Sequence, residues 1–529
     1  MRTKLLVVLA ILVVQVTVSR AAQSAELPNF VIIVADDMGF SDPGWYGGEI
    51  ETPNLNRLAE GGLRFTQFYN TARCWPTRAC ILTGYYAQQV RMDPPRGRLP
   101  RWARVLPHYL KPLGYRCYHS GKWHLHGAPR TVEDGGFDRS YRVDDQDRFF
   151  SPQRTWLDDR RLPPVEEGSG YYATTAIADH AVQFLQQHFR ERGNQPFFLY
   201  LAFTSPHFPL HALQGDIDKY RDRYRAGWDA IRRQRYQRLR NMGIVHCALS
   251  EREPETVPHW NFPPQRLLRE IGPGEAPRAV AWAELSEQQQ EFQATKMAIH
   301  AAMVDRMDQE IGRVLGQLEA GRAIENTVIF FLSDNGASAE QIIRGDMHDP
   351  AAPPGSARSY LCLGPGWSTA ANTPFRRHKS WVHEGGISTP LIVHWPRGIT
   401  AGGRLRHAVG HCIDFVPTLL ELAGAKPSET WNGAAVPPLP GRSLVPAFAE
   451  DRSIQRDFVY FHHGGNRALR TGDWKLVAGR EAATWELHDL ASDRCESVDL
   501  AAEQPDRVRR MADLWKRLDQ QFRRVAGSP

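Results

Sequence analysis

Cys74-Trp75-Pro76-Thr77-Arg78 is the segment whose residue types and spacing come nearest to chemistry. Pro76 suits the first turn of a helix and Gly84 its carboxyl cap, so a helix is expected with Cys74 at its amino end. Such an end carries unpaired amide groups and the positive pole of the helix dipole, and it attracts anions. Arg78 falls one turn along, where a guanidinium reaches the same spot. For an isolated cysteine the plainer reading is a buried packing residue, which is the reading given to Cys80.

A second set offers oxygen. Asp36, Asp37, Asp334 and Asn335 follow two apolar runs, and hard ligands of this kind suit calcium or magnesium. One such pair alone is as well explained by a turn or a cap. Two pairs after two buried strands favour a metal. Lys122 and His124 alternate after Tyr115 to His119, so both are expected on one face of an extended segment. His207 lies beyond another apolar run. Taken singly, each of these is more often a structural group than a catalyst.

Placing these residues together requires a sheet. Phe30 to Ala35, Phe197 to Phe203 and Val328 to Leu332 are apolar without alternation, which marks strands covered on both faces. The expected fold class is α/β, a large and mainly parallel sheet sandwiched by helices, with functional groups at the carboxyl ends of its strands. Ala294 to Ala320 carries Met297, Ala301, Val304, Met307, Ile311 and Leu318 at helical spacing, a packing helix. Its Asp305, Asp308 and Glu310 are expected on a solvated face. Residues 208–293, rich in Arg, Tyr and Trp, read as an insertion in a catalytic domain spanning 26–445. Tyr220, Tyr224 and Trp228 sit there at helical spacing, and packing is preferred over a sugar cradle. Beyond 446, short strands and a helix from Pro505 to Phe522 predict a smaller C-terminal α+β domain, 446–529.

Composition narrows the class. With 42% hydrophobic and 23% charged residues in 529, the chain has the content of a globular enzyme. Residues 1–25 read as a signal peptide: Arg2 and Lys4 precede the run Leu5 to Val18, and small residues follow. A membrane anchor is the weaker reading, because Gln15 interrupts a short run. A secreted or periplasmic protein with no stable membrane span is therefore expected. The seven scattered cysteines do not form a small-domain disulfide framework, and their odd number leaves at least one thiol over. The formal charge of +6 includes Arg2, Lys4 and Arg20, and so mild an excess does not argue for nucleic acid.

Cys74-Trp-Pro-Thr-Arg78 resembles the C-x-P-x-R signature of the sulfatases, relatives of alkaline phosphatase. The resemblance continues through Leu82-Thr-Gly84, Gly121-Lys-Trp-His-Leu125, Ser205-Pro-His207, Ser333-Asp-Asn-Gly336 and Lys379 with Glu384-Gly-Gly386, in family order. Thr77 and His383 depart from the family's usual residues, and His126 has no assigned role. The resemblance implies that a formylglycine-generating or sulfatase-maturing enzyme oxidises Cys74 to formylglycine (3-oxoalanine). It also implies one calcium ion held by Asp36, Asp37, Asp334, Asn335 and position 74. Lys122, His207 and Lys379 would then meet the sulfate, His124 and Arg78 the formylglycine, and Asp334 would take its proton. Asn335 stands where related phosphatases commonly have a zinc-binding histidine, which weighs against a two-zinc site.

The function implied is hydrolysis of sulfate esters of a small molecule or carbohydrate. The hydrated aldehyde attacks sulfur and later expels sulfate, a route closed to an ordinary serine. Two other readings stand beside it: a phosphonate monoester or phosphodiester hydrolase on the same scaffold, and a silent binder of sulfated glycans if Cys74 is never oxidised.

Overall fold

The computed structural model describes residues 26–527, so the segment expected to be a signal peptide lies outside the described residues. Eleven strands form one sheet: β1 (Asn29–Ala35), β2 (Leu63–Tyr69), β3 (Arg116–Gly121), β4 (Arg139–Val143), β5 (Thr155–Leu157), β6 (Arg160–Arg161), β7 (Phe197–Ala202), β8 (Thr327–Ser333), β9 (Ser388–His394), β10 (Arg404–Arg406) and β11 (Gly410–His411). Their order is β10-β2-β9-β8-β1-β7-β3-β4-β5-β6, with β11 beside β2. The central block β8-β1-β7-β3-β4 is parallel throughout, while β9 runs antiparallel to both of its neighbours.

The three apolar runs are thus β1, β7 and β8, with β1 in the middle. Their lack of alternation has the expected cause: Phe30, Ile32 and Val34 enter one core and Val31 and Ile33 the other. Register pairs Ala35 with Ser333, so Asp36 and Asp334 leave the sheet as neighbours. This is the placement that a metal site at two parallel strand ends requires.

The long packing helix spans Glu287–Ala320 and starts before Ala294 because Ser286 and Gln289 form a capping box. Its apolar positions are buried as expected. Asp305, Asp308 and Glu310 are structural but not solvated, which corrects that expectation. Asp308 accepts from Leu55 N at 2.8 Å and Asn54 N at 3.0 Å, and Glu310 from Thr175 Oγ1 at 2.8 Å. Asp305 accepts from Tyr220 Oη at 2.8 Å and from Lys219. The helix is enclosed by neighbours on its polar side too, and the acids satisfy amides and hydroxyls there.

Within 208–293, Tyr220, Tyr224 and Trp228 are buried, in keeping with packing. They do not share one helix: Gln214–Asp218 and Gly227–Asn241 are separate, and Gly227, which opens the second, takes a φ of 81°. Trp228 packs edge-on against Trp282 and Trp367 at 4.9 and 5.8 Å. A disulfide joins Cys247 of this segment to Cys495.

After the large sheet come four antiparallel strands, Val459–His463, Asn466–Thr471, Trp474–Ala478 and Glu486–Asp489, then the helix Pro505–Ala526. A buried charge cluster fastens this smaller sheet to the larger unit. Lys475 Nζ lies 2.9 Å from Glu384 and 2.7 Å from Glu496, and Glu384 also accepts from Tyr69 Oη at 3.0 Å. No helix among the described residues is long and apolar enough to cross a membrane.

Candidate active site

Cys74 opens the helix Cys74–Thr83, with Arg73 extended before it and Gly84 closing it at a φ of 79°. Arg78 is enclosed on the inner side of this helix. Its Nε and Nη2 reach Asp334 Oδ2 at 2.9 and 2.8 Å, and Nη1 donates to Lys122 O at 2.9 Å. Thr77 braces the turn that precedes the helix, since its Oγ1 accepts from Thr71 N at 3.0 Å and lies 2.8 Å from Thr71 Oγ1. Cys80 packs in the core, as expected.

Ligand atoms of Asp36, Cys74 and Asp334 lie within 4.8 Å of one another, and those of Asp36, Asp37 and His207 form a second such group. The acids are crossed by cations. Lys122 Nζ is 2.5 Å from Asp36 Oδ2, and Lys379 Nζ is 2.7 Å from Asp37. Asn335 Nδ2 donates to Asp37 Oδ1 at 2.7 Å. Burial and neighbouring Asp334 push the Asp36 carboxyl up, and burial does the same to Asp37 despite Lys379. Asp36 Oδ1 and Asn335 Oδ1 are buried with no hydrogen-bond partner. An orphaned carboxylate oxygen and an orphaned amide oxygen among crowded, desolvated acids are what a divalent cation would satisfy, and the donor set fits a hard one.

Burial raises the Cys74 thiol above its usual range although Lys122 and Lys379 oppose the shift. The unmodified side chain is therefore a poor thiolate nucleophile. Burial and Lys379 also hold His207 well below the ordinary imidazole range. Its Nδ1 donates to Phe208 O at 2.5 Å, leaving Nε2 bare and 3.8 Å from Asp37 Oδ2. Lys379 behaves oppositely, since Asp37 and Glu340 outweigh the cost of burial and keep it charged.

The expectation for Lys122 and His124 needs correction. Strand β3 ends at Gly121, and His124 has a φ of 52°, so the two do not alternate along a strand. Lys122 reaches the acids, whereas His124 meets Trp75 and His126 at ring distances of 5.7 and 5.1 Å. Its Nδ1 is buried without a partner. Both residues still line one cavity, of about 470 Å³, with His126, Arg142, Asp147 and Arg344. Arg344 forms a pair with Asp147 at 2.6 Å there, a planar group suited to hydroxyl or anion recognition.

Sequence reasoning missed Glu340. It lies 3.3 Å from Lys379 Nζ, 3.4 Å from Arg73 and accepts from Trp260 Nε1 at 2.9 Å. Burial would raise its carboxyl, but Arg73 and Lys379 pull it far below the usual range. A single acid in an irregular loop carries no periodic signal, and only its nearness to Ser333-Asp-Asn-Gly336 hinted at it. His383 is buried between Arg377 and Glu486, a link to the smaller sheet.

A family model described as Sulfatase matches residues 28–425, and one described as N-sulphoglucosamine sulphohydrolase, C-terminal, matches 376–524. The chain is 31% identical to an uncharacterized sulfatase of Schizosaccharomyces pombe over 92% of each chain. It is also 31% identical to an arylsulfatase of Klebsiella aerogenes, over 80% of this chain and 93% of that one. Among solved structures, Ps i-CgsB in complex with k-i-k-neocarrahexaose shares the fold with a TM-score of 0.64, at 22% identity and 93% coverage of each chain. With its motifs assembled at the carboxyl ends of β1 and β8, the chain belongs to the sulfatase family of sulfuric ester hydrolases.

Proposed function

We propose that the protein hydrolyses sulfate esters with a formylglycine made from Cys74, beside a calcium ion held by Asp36, Asp37, Asp334, Asn335 and position 74. The observation that carries this reading is the position of Cys74: at a helix amino end, its sulfur within 4.8 Å of two buried carboxylates. Calcium there would supply positive charge to sulfuryl oxygens and hold the carboxylates ionised. Formylglycine would supply a hydrated aldehyde, whose hydroxyl attacks sulfur and whose second hydroxyl allows sulfate to leave.

The remaining work falls to the chain's own side chains. Lys122 and Lys379 reach Asp36 and Asp37 from two other segments, and their charges would offset that of the sulfate. Arg78 fixes the carboxylate of Asp334, which is the candidate to accept the proton of the attacking hydroxyl. His124 lines the same cavity as Lys122 and has a buried ring nitrogen without a partner, which would meet the formylglycine. Lys379 carries a proton that can be given to the departing alcohol, and His207 presents a bare Nε2 that accepts or relays one.

Export fits the same reading: a disulfide between Cys247 and Cys495 suits an oxidising compartment. Amino-terminal sequencing of the released protein would place the cut after residue 25 or deny it. The catalytic reading is tested by producing the chain with a formylglycine-generating enzyme and assaying matched aryl sulfates and aryl phosphonates. Sulfate release in preference to phosphonate release, lost in Cys74→Ala, is the expected result. A preference for phosphonates would favour the phosphonate monoester hydrolase reading instead.

A further inference from the structure

A second cavity adjoins the catalytic segment, and the reaction described above makes no use of it. It measures about 300 Å³ and is lined by the loop 255–260, by Arg377, Ser380 and Trp381, and by two turns of the smaller sheet, around His463 and Asn466 and around Arg480 and Glu481. The residues flanking Cys74 connect it to the first cavity. Trp75 meets the rings of His124 and His126 on one side, at 5.7 and 6.4 Å, and that of His463 on the other, at 5.4 Å. Arg73 donates to Ser380 Oγ at 2.7 Å, and its guanidinium lies 5.5 Å from the ring centre of Trp260.

Trp260 is 37% exposed although it lines a cavity beside buried catalytic groups. Its position is fixed by the indole N–H bond to Glu340 at 2.9 Å, which leaves part of the ring open to the cavity. The loop carrying it is tied down in turn. Arg376 bridges Glu253 at 2.8 Å and Glu486 at 3.0 Å, and the Cys247–Cys495 disulfide joins the same two regions. A fixed aromatic surface costs little entropy to occupy. Arg480 lines the same cavity beside that loop. It donates to His259 Nε2 at 2.9 Å and makes no ion pair among the described residues, so its charge and remaining N–H groups are available.

We propose that this second cavity is a subsite for a sugar unit adjoining the one that bears the scissile sulfate. Trp260 stacks against the sugar ring, and Arg480 binds an anionic substituent, sulfate or carboxylate. The substrate is then an anionic oligosaccharide of two or more units, with the reacting unit in the cavity of Lys122 and His124. The proposal rests on the sulfatase reading and specifies its substrate class. An aryl sulfate or a lone sulfated sugar would occupy the first cavity and leave a site of small-ligand size unused. Glu255 and Glu481 supply acceptors for sugar hydroxyls within the same lining.

Binding decides the matter without turnover. Calorimetry on the full chain carrying Cys74→Ala would compare heparin, chondroitin sulfate and carrageenan tetrasaccharides with the matching sulfated monosaccharides. At least one series should gain about tenfold or more in affinity with length, and Arg480→Ala should remove about tenfold of it, the size expected for a charge-assisted hydrogen bond. Trp260→Ala should reduce the same gain. In protein that retains Cys74 and has it converted by a formylglycine-generating enzyme, Arg480→Ala should raise KM for the preferred oligosaccharide while leaving hydrolysis of 4-nitrophenyl sulfate within about twofold. Equal affinity for long and short ligands in every series, or a length gain untouched by both substitutions, would overturn the subsite. Failure to release sulfate from any ester would instead strike the catalytic reading, and the binding comparison would still judge the subsite.

Discussion

Arg78 Nη2 lies 2.8 Å from Asp334 Oδ2, and neither side chain has any exposed surface. Removing one member of a buried pair leaves the other charged and dry, a loss of about 3–5 kcal/mol. Arg78→Ala should therefore lower the unfolding midpoint clearly and slow turnover of good and poor leaving groups alike. Arg78→Lys keeps the charge but loses the two-point contact, and it should fall between. Denaturant melts on the three proteins test this, and an unchanged midpoint in Arg78→Ala would contradict the pairing.

Metal removal should act on stability as well as activity. Asp36, Asp37, Asp334 and Asn335 are all buried, and a cation bound only by the folded chain adds to the stability of the fold. Chelation should lower Tm, and calcium should restore Tm and activity better than zinc. In Asp36→Asn the calcium-dependent rise in Tm should shrink or vanish. Zinc rescuing better than calcium would move the assignment toward the group containing His207.

Acid should weaken the fold at a site away from the chemistry. Burial pushes the Asp42 carboxyl up, but His300 and Arg235 outweigh it and bring it down to about 2. Its folded pKa is depressed, so its contribution is present above the unfolded value near 3.8 and is lost as pH falls toward 2. The difference is worth about 2 kcal/mol. Asp42→Asn should flatten the stability profile between pH 4 and 2, in chemical melts read across that window. A profile as steep as wild type would remove Asp42 from the explanation.

Leaving-group assistance should separate Lys379 from Arg78. A nitrophenolate departs without a proton, whereas a sugar alkoxide needs one, an effect on the order of a hundredfold or more. Lys379→Ala should steepen the dependence of kcat on leaving-group acidity, and His207→Ala should do so to a smaller degree, because His207 is held neutral. Arg78→Ala should shift all substrates together. Slopes unchanged in both the Lys379 and His207 variants would leave these residues as sulfate-binding groups only.

The strand ends and the Cys74 helix were legible because their signals are local. Phe30 to Ala35 and Val328 to Leu332 are buried on both faces, so each apolar run announces both its strand and the polar residues that follow. Pro76 and Gly84 likewise mark the two ends of one helix. The left-handed backbone of His124 had no such signal, since nothing in the residues beside it marks a positive φ at a histidine. Glu340, Trp260 and Arg480 are far apart in sequence and meet only when the 208–293 segment and the smaller sheet close over Arg73. Asp308 looked solvated because helical periodicity says which face is polar, and not what covers it.

The most direct measurement is mass spectrometry of the peptide Cys74 to Arg78 alongside sulfate release, on protein made with graded amounts of a formylglycine-generating enzyme. If the nucleophile is oxidised Cys74, turnover should rise in proportion to the fraction of peptide in which the thiol has become an aldehyde. Extrapolated to no conversion, activity should vanish, as it should in Cys74→Ala, while Cys80→Ala should follow the wild-type line after allowance for any loss of folded protein. Undiminished sulfate release from protein whose Cys74 is wholly unconverted would contradict the proposed chemistry.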